Sequence, residues 1–345
     1  MLRATSVPRT EYDLVVVGGG PAGACAALQA ADGQARVALF DDGDRIGGQL
    51  IRQTHKFFGS SDNYSGLRGF QIASALQERI RFAPLEAFCG VTVWAIEHGP
   101  TVWLKHADYS AAVKCRGLIL ACGAREKALL FPGWTLPGVL YAGALQTMVN
   151  LWGVLPGKRV LILGSGNVGL IVAYQLAQAG MEVAGIVEKA RAIGGFQVHA
   201  NRVQRLGIPI FLDSELLEVQ GYGRAERALV RRGRKRLGLA VDTVCIAAGM
   251  RPQVELLRYL GETLDYDEAR GGTVPLRDFS LRLKTNDVFV CGDMGGIEEA
   301  SIAMEEGRLA GLAARRALGF GQTDALTAEI NDAEKGLQAL RSGEK

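Results

Sequence analysis

The sequence has no Cys-x-x-Cys pair, no apolar run near the roughly 18 residues a membrane helix needs, and no dominant charge sign. Its six cysteines, Cys25, Cys89, Cys115, Cys122, Cys245 and Cys291, are scattered, so their spacing gives neither a redox dithiol nor a zinc or iron–sulfur framework. Most lie in apolar strand-like or helix-like runs, where a thiol acts as a small buried hydrophobe. The 39 basic and 36 acidic residues leave a net charge of +3, too small to make nucleic acid or an anionic membrane the main partner. Residues 1–12 carry no apolar signal core, so a cytoplasmic protein is expected. No paired carboxylates, Ser/His/Asp arrangement or metal-ligand cluster stands out, which leaves hydrolysis unsupported and predicts no metal site.

What is present is glycine, 45 residues in a chain of 345, long enough for two α/β domains. The glycines fall in runs between strand-like and helix-like segments. A strand over 13–17, glycines, a helix over 23–31 and a strand over 36–40 make a βαβ opening. The order returns as a strand over 159–163, glycines, a helix over 170–179 and a strand over 182–187. Gly18-x-Gly20-x-x-Gly23 overlays Gly164-x-Gly166-x-x-Gly169. The acid ending the second strand, Asp41 or Glu188, follows its first glycine by 23 residues (18 to 41) or 24 (164 to 188). Ile-Gly-Gly then follows in both copies, at 46–48 and 193–195. An internal repeat of this detail predicts two related nucleotide folds in one chain.

The spacing has a chemical reason. The first glycine permits a tight turn, the second lets the backbone approach a pyrophosphate, and the third lets helix and sheet pack closely. Amide N–H groups at the helix start and the helix dipole then hold phosphate. Gly18, Gly20, Pro21, Ala22 and Gly23 are the candidate phosphate loop, with Asp41 placed for the adenosine ribose. In the second copy the candidates are Gly164, Gly166, Asn167, Val168, Gly169 and Glu188. A carboxylate there repels a 2′-phosphate and so suits NAD better than NADP, although Lys189 and Arg191 soften that preference. Another adenine nucleotide, or an empty structural relic, remains open for this copy.

The run GGGPAG, IGGQ at 46–49, ACG at 121–123 and CGD at 291–293 together resemble the two-dinucleotide-binding-domain flavoproteins, over about residues 12–320. That resemblance implies FAD in the first fold, with Gly292 and Asp293 on the ribityl and pyrophosphate. It also implies a helix start at Glu299 and Ala300 facing the flavin pyrimidine, and contacts from Gly47, Gly48, Gln49, Thr54 and Gly123. Order and size are similar to thioredoxin reductase. Where those enzymes carry Cys-x-x-Cys and an acid, however, this sequence reads AGALQ at 142–146. Glutathione-reductase-like enzymes place two cysteines just after the Gly-Gly at 47–48, and QLIRQTHKFF stands there instead. Dithiol exchange needs a thiolate and a resolving thiol, so disulfide reduction is excluded.

The run REKALLFPGWTLPGVLYAGALQ, 125–146, resembles the FAD subunit of opine oxidase, hydrogen cyanide synthase and dye-linked proline or hydroxyproline dehydrogenase complexes. This implies an FAD-dependent oxidoreductase, the electron-handling subunit of an amine or imino-acid dehydrogenase. A second flavoprotein subunit would stand beside it, and any iron–sulfur cluster would come from another polypeptide. A stand-alone NADH-dependent reductase and a non-catalytic nucleotide-holding scaffold are the alternatives.

The expected fold is α/β, with two Rossmann-like domains and the second inserted in the first. An FAD domain spans 1–125 plus 255–345, and an NAD(P)-type domain spans 126–254. His55 is a candidate proton relay or an ordinary packed histidine. The basic run RRGRKR at 231–236 reads as a solvated hairpin or a docking patch. Residues 324–341 place Leu326, Ile330, Ala333, Leu337 and Leu340 on one helical face, for packing on its own domain or on a partner.

Overall fold

The computed structural model describes residues 7–31, 34–57, 64–284, 287–321 and 323–343. Residues 1–6, part of the segment read for a signal core, lie outside the described residues. The chain forms two compact units, Met1–Arg125 with Arg251–Lys345, and Glu126–Met250.

The first unit is built on a seven-stranded sheet. Strand Glu11–Val17 lies between Val37–Asp41 and Ser110–Leu120, parallel to both. Glu86–Cys89 extends one side in parallel. Leu14, Val15 and Val16 are fully buried, as expected of a continuous apolar, valine-rich run covered on both faces of a parallel sheet. The long strand Ser110–Leu120 changes partner along its length. Its first half pairs antiparallel with Thr101–Lys105, and residues 118–120 pair parallel with Val288–Val290. This last pairing carries the Gly-Asp turn back to the sheet edge that bears the first glycines.

Helix Pro21–Ala31 opens with proline at its first position, where the missing N–H has no helical partner to lose. It packs on helix Ala300–Ala317 at very short range. A Cβ at Gly307 would lie 2.0 Å from the Ala22 carbonyl oxygen, and one at Gly311 would lie 2.5 Å from that of Ala26. Gly307→Ala is therefore expected to lower stability by about 1–3 kcal/mol through overpacking. A drop in the urea midpoint checks this, and an unchanged midpoint would show that the helices part at no cost.

Helix Asp324–Ser342 is capped by Thr323, whose side chain accepts from Leu326 N–H at 3.2 Å. Its Leu326, Ile330, Ala333 and Leu337 enter the core of the first unit, and Leu340 packs at the edge. The apolar stripe thus covers its own unit and not a partner.

The second unit repeats the plan on a smaller scale. Its parallel sheet has the order Ile210–Phe211, Glu182–Val187, Arg159–Leu163, Thr243–Ile246, Val139–Tyr141. Helix Asn167–Gln178 begins directly at the second glycine run, three residues before its expected start. An antiparallel sheet, Ser214–Gln220, Arg227–Arg232 and Lys235–Ala240, adds a third strand to the hairpin expected at 231–236. The basic run RRGRKR forms its exposed hairpin tip, the solvated arrangement its composition favours.

Candidate nucleotide-binding sites

The three glycines of the first cluster do three different things. Gly18 has φ +99°, and a Cβ there would meet the Ala121 carbonyl oxygen at 2.4 Å. At Gly23 a Cβ would lie 1.7 Å from the Gly18 carbonyl oxygen. At Gly20, by contrast, nothing stands within 4 Å. Two glycines are therefore fixed by the protein's own packing, and the middle one faces open space. The second cluster repeats this. Gly164 would clash with the Ala247 carbonyl at 2.3 Å and Gly169 with that of Gly164 at 2.1 Å, while Gly166 again faces nothing within 4 Å. An open approach to backbone at a helix start is what an anionic ligand requires.

The acids and the Ile-Gly-Gly runs close on these loops. Asp41 accepts from Gly19 N–H at 2.5 Å and from Gly43 N–H at 2.8 Å. Burial pushes its carboxyl up, the two amide bonds work against that, and Asp42 and Asp44 add to the rise. Gly47 N–H donates to the Gly19 carbonyl at 2.8 Å. Gly48, at φ +51°, sits so close that its Cβ would lie 2.8 Å from Gly20 Cα. In the second unit Glu188 Oε2 accepts from Ser165 N–H at 2.8 Å and Oγ–H at 2.7 Å, and Oε1 accepts from Ala190 N–H at 2.8 Å. Burial raises its carboxyl, yet these hydrogen bonds outweigh it and hold Glu188 below its ordinary value. Gly195 N–H reaches the Ser165 carbonyl at 2.9 Å. Asn167 is turned inward, its Oδ1 accepting from Phe196 N–H at 2.7 Å, while Val168 is exposed.

The late turn joins the first site. Gly292 has φ +67°, and a Cβ there would be 2.7 Å from Ala22 Cβ. Asp293 thus stands beside the first turn of helix Pro21–Ala31, about 270 residues away in sequence. Its Oδ1 accepts weakly from Glu298 N–H at 3.4 Å. Burial, reinforced by Glu306, Glu298 and Glu299, pushes its carboxyl up to about 6. Glu299 is the N-cap of helix Ala300–Ala317 and makes no side-chain cap bond. Gly123, at φ +69°, also faces nothing within 4 Å.

The remaining candidates lie on the segment after Gly48. Gln49 is in the short 3-10 turn Gly48–Arg52. The Thr54 carbonyl accepts from Arg68. His55 stacks on Phe57 with ring centroids 4.7 Å apart, which gives the ring a packing role. Gln53, which spacing did not single out, holds a buried Oε1 that receives no hydrogen bond from the described residues. A buried acceptor left open on this segment is a place for a ligand donor. The six thiols fit no redox role: burial pushes Cys25, Cys115 and Cys122 up to about 12 and Cys89 to about 11, and raises Cys245 and Cys291 further. A thiol so far from ionisation supplies no nucleophile. Among the described residues, no helix is long and apolar enough to cross a membrane.

Comparison with known proteins agrees with this geometry. A model of the family described as pyridine nucleotide-disulphide oxidoreductase matches residues 12–307. An opine oxidase subunit of Rhizobium meliloti (strain 1021) is 30% identical over 333 residues, covering 89% of this chain and 72% of that protein. Hydrogen cyanide synthase subunit HcnB of Pseudomonas protegens is 30% identical over 338 residues, covering 86% and 69%. The chain spans 65–72% of the length of three opine oxidase subunits of this type. Among solved structures, thioredoxin reductase of T. acidophilum shares the fold, with a TM-score of 0.76 at 21% identity over 90% of this chain and 99% of that one.

Proposed function

The chain belongs to the pyridine nucleotide-disulphide oxidoreductase family, and on that premise we propose that it is an FAD-dependent oxidoreductase, the flavoprotein subunit of a multisubunit amine or imino-acid dehydrogenase. The observation that carries this reading is the open face of Gly20, bordered by Gly48 on one side and by the Gly292–Asp293 turn packed on Ala22. Gly18, Gly20 and the first turn of helix Pro21–Ala31 would hold the pyrophosphate, with the helix dipole favouring its charge. Asp41 would accept from the adenosine ribose, and Asp293 from the ribityl end. When bound, the flavin supplies hydride and electron transfer.

The protein's own part is to bind, orient and exclude. The start of helix Ala300–Ala317 follows Asp293 closely, and its positive end suits a site where negative charge develops. No side chain of the described site is placed as an acid–base pair, which leaves orientation as the main contribution. In the second unit the Glu188 carboxylate, ionised and fixed by Ser165 and Ala190, favours an adenine nucleotide with a free ribose over a 2′-phosphorylated one.

The opine oxidase and hydrogen cyanide synthase relatives are subunits of multisubunit proteins, which supports a partner arrangement: a second flavoprotein where the amine is oxidised, with any iron–sulfur cluster carried by another polypeptide. A stand-alone NADH-dependent reductase is the second reading, favoured by the intact second glycine loop. Stopped-flow mixing of the FAD-loaded chain with NADH separates them. Absent or slow bleaching of the flavin is expected for the complex subunit, whereas bleaching at turnover rates supports the reductase. A folded preparation that takes up no FAD would refute both.

A further inference from the structure

The Gly292–Asp293 turn is held from behind by a group of charges. Glu306, two turns into helix Ala300–Ala317, is 1% exposed and accepts four hydrogen bonds. They come from Gly292 N–H at 2.8 Å, from both terminal nitrogens of Arg277 at 2.8 and 2.6 Å, and from Arg341 Nη2 at 2.6 Å. Arg277 is 6% exposed and also donates to the Val290 carbonyl at 2.8 Å. Its guanidinium lies flat against Gly295, where a Cβ would come within 2.4 Å of Cζ. Arg270 donates to the Gly295 carbonyl. Arg341, on helix Asp324–Ser342, forks Glu298 at 2.8 and 2.6 Å.

A buried ion pair of this kind gives little net stability, because desolvation offsets the attraction, and apolar residues of similar volume hold helices together as well. What the carboxylate does that an apolar side chain cannot is fix a backbone N–H. The amide it fixes belongs to Gly292, immediately before Asp293.

Resting on the reading that Asp293 anchors FAD, we propose that Glu306, Arg277 and Arg341 are positioning residues for the cofactor: they lock the Gly292 amide so that the Asp293 carboxylate is presented at a fixed place, and Arg341 makes helix Asp324–Ser342 part of the flavin site. The charges also couple. Asp293 is faced by Glu298 and Glu299 beside its turn, by Glu306 of helix Ala300–Ala317, and by Arg277 and Arg270 behind it. Strand Gly272–Pro275, packed on the turn, brings no titratable group, and the nearest from helix Pro21–Ala31 is the neutral thiol of Cys25. Arg341 compensates Glu298 and Glu306. Without its cation, Asp293 faces acids that are less compensated and ionises at higher pH.

The test uses the full chain stripped of flavin and titrated with FAD, for wild type, Arg341→Met, Arg341→Lys and Glu306→Gln. Hydrogen exchange over 292–296 is followed in the flavin-free protein. For Arg341→Met we expect FAD affinity lower by about tenfold or more, the usual effect of removing an outer support. Its binding pH profile should move upward, and exchange in the turn should be faster with helix Pro21–Ala31 unchanged. Arg341→Lys keeps the charge but not the fork, so it restores the pH profile and only part of the affinity. Wild-type affinity together with wild-type exchange in Arg341→Met overturns the proposal. Should Glu306→Gln not fold, the Arg341 variants still decide, since Arg341 is 39% exposed. Were wild type to bind no FAD, the cofactor reading fails, and exchange at 292–296 alone then decides whether the amide lock exists.

Discussion

Gly20→Ala is expected to fold like the wild type but to bind FAD far more weakly, whereas Gly23→Ala is expected to be markedly destabilised. The two positions lie three residues apart in the same loop, and the difference follows from what a methyl group would meet. At Gly23 it would sit 1.7 Å from the Gly18 carbonyl oxygen, a backbone atom that moves only if strand Glu11–Val17 and helix Pro21–Ala31 separate. Overpacking against backbone costs about 3 kcal/mol or more, a large part of the roughly 5–15 kcal/mol that holds a domain folded. At Gly20 the methyl group meets nothing within 4 Å. Its conformational effect on folding is a few tenths of a kcal/mol to about 1 kcal/mol. The space it fills is the space a pyrophosphate would take, so FAD affinity is expected to fall roughly a hundredfold, equivalent to about 2.8 kcal/mol. Calorimetry and flavin titration read the two effects separately. The second cluster is an internal control, because Gly166 and Gly169 show the same contrast. A Gly20→Ala protein that binds FAD normally would remove the loop from the site.

The second large effect belongs to Asp293, where stability and binding should move in opposite directions. Its carboxyl is pushed up from 3.8 to about 6, first by burial and then by Glu306, Glu298 and Glu299. A folded-state value above the unfolded one means that folding disfavours the ionised form. Below about pH 4 both states are protonated and Asp293 costs nothing. The penalty grows as pH rises to about 6 and is complete above it. Asp293→Asn removes the charge, so the flavin-free variant should match wild type near pH 4 and exceed it at pH 7. The gain should be on the order of 1–2 kcal/mol after allowance for the partial solvent exposure of the site. The same substitution removes a charged acceptor and should weaken FAD by roughly ten- to a hundredfold. Such a trade of stability for function is common where a site holds an ion that folding alone would reject. Thermal melts from pH 4 to pH 8, with and without FAD, decide it. A stability difference that does not vary with pH would show that Asp293 is well solvated and contributes no such penalty.

The local parts of both sites were legible in the sequence. Gly18, Gly20 and Gly23 lie within six residues, and a strand turning into a helix over so short a distance leaves few backbone solutions. The spacing therefore encodes the geometry almost directly. Asp41 and Glu188 were legible for a related reason: a helix of standard length places the end of the next strand about 23 residues on. Less legible were features whose signal was present but pointed elsewhere. Gly307 and Gly311 in helix Ala300–Ala317 stand four residues apart, a spacing that permits close helix packing, yet the sequence does not name Ala22 and Ala26 as the surface they meet. No motif or spacing singles out Arg277, Glu306 and Arg341, and the structure buries the first two.

What the sequence determined by itself is the repeated βαβ plan, the glycine turns and the absence of a dithiol, since each depends on neighbours in the chain or on composition. Tertiary structure alone decided that Gly292 lies against Ala22 and that the last helix reaches Glu306, whereas the place of Asp293 near the first glycine loop was already implied by the family resemblance. The physical reason is that backbone conformation is set by steric terms acting over a few residues. Which distant surfaces meet is set by burying complementary shapes and charges, and that complementarity leaves no period or spacing in a single chain to be read.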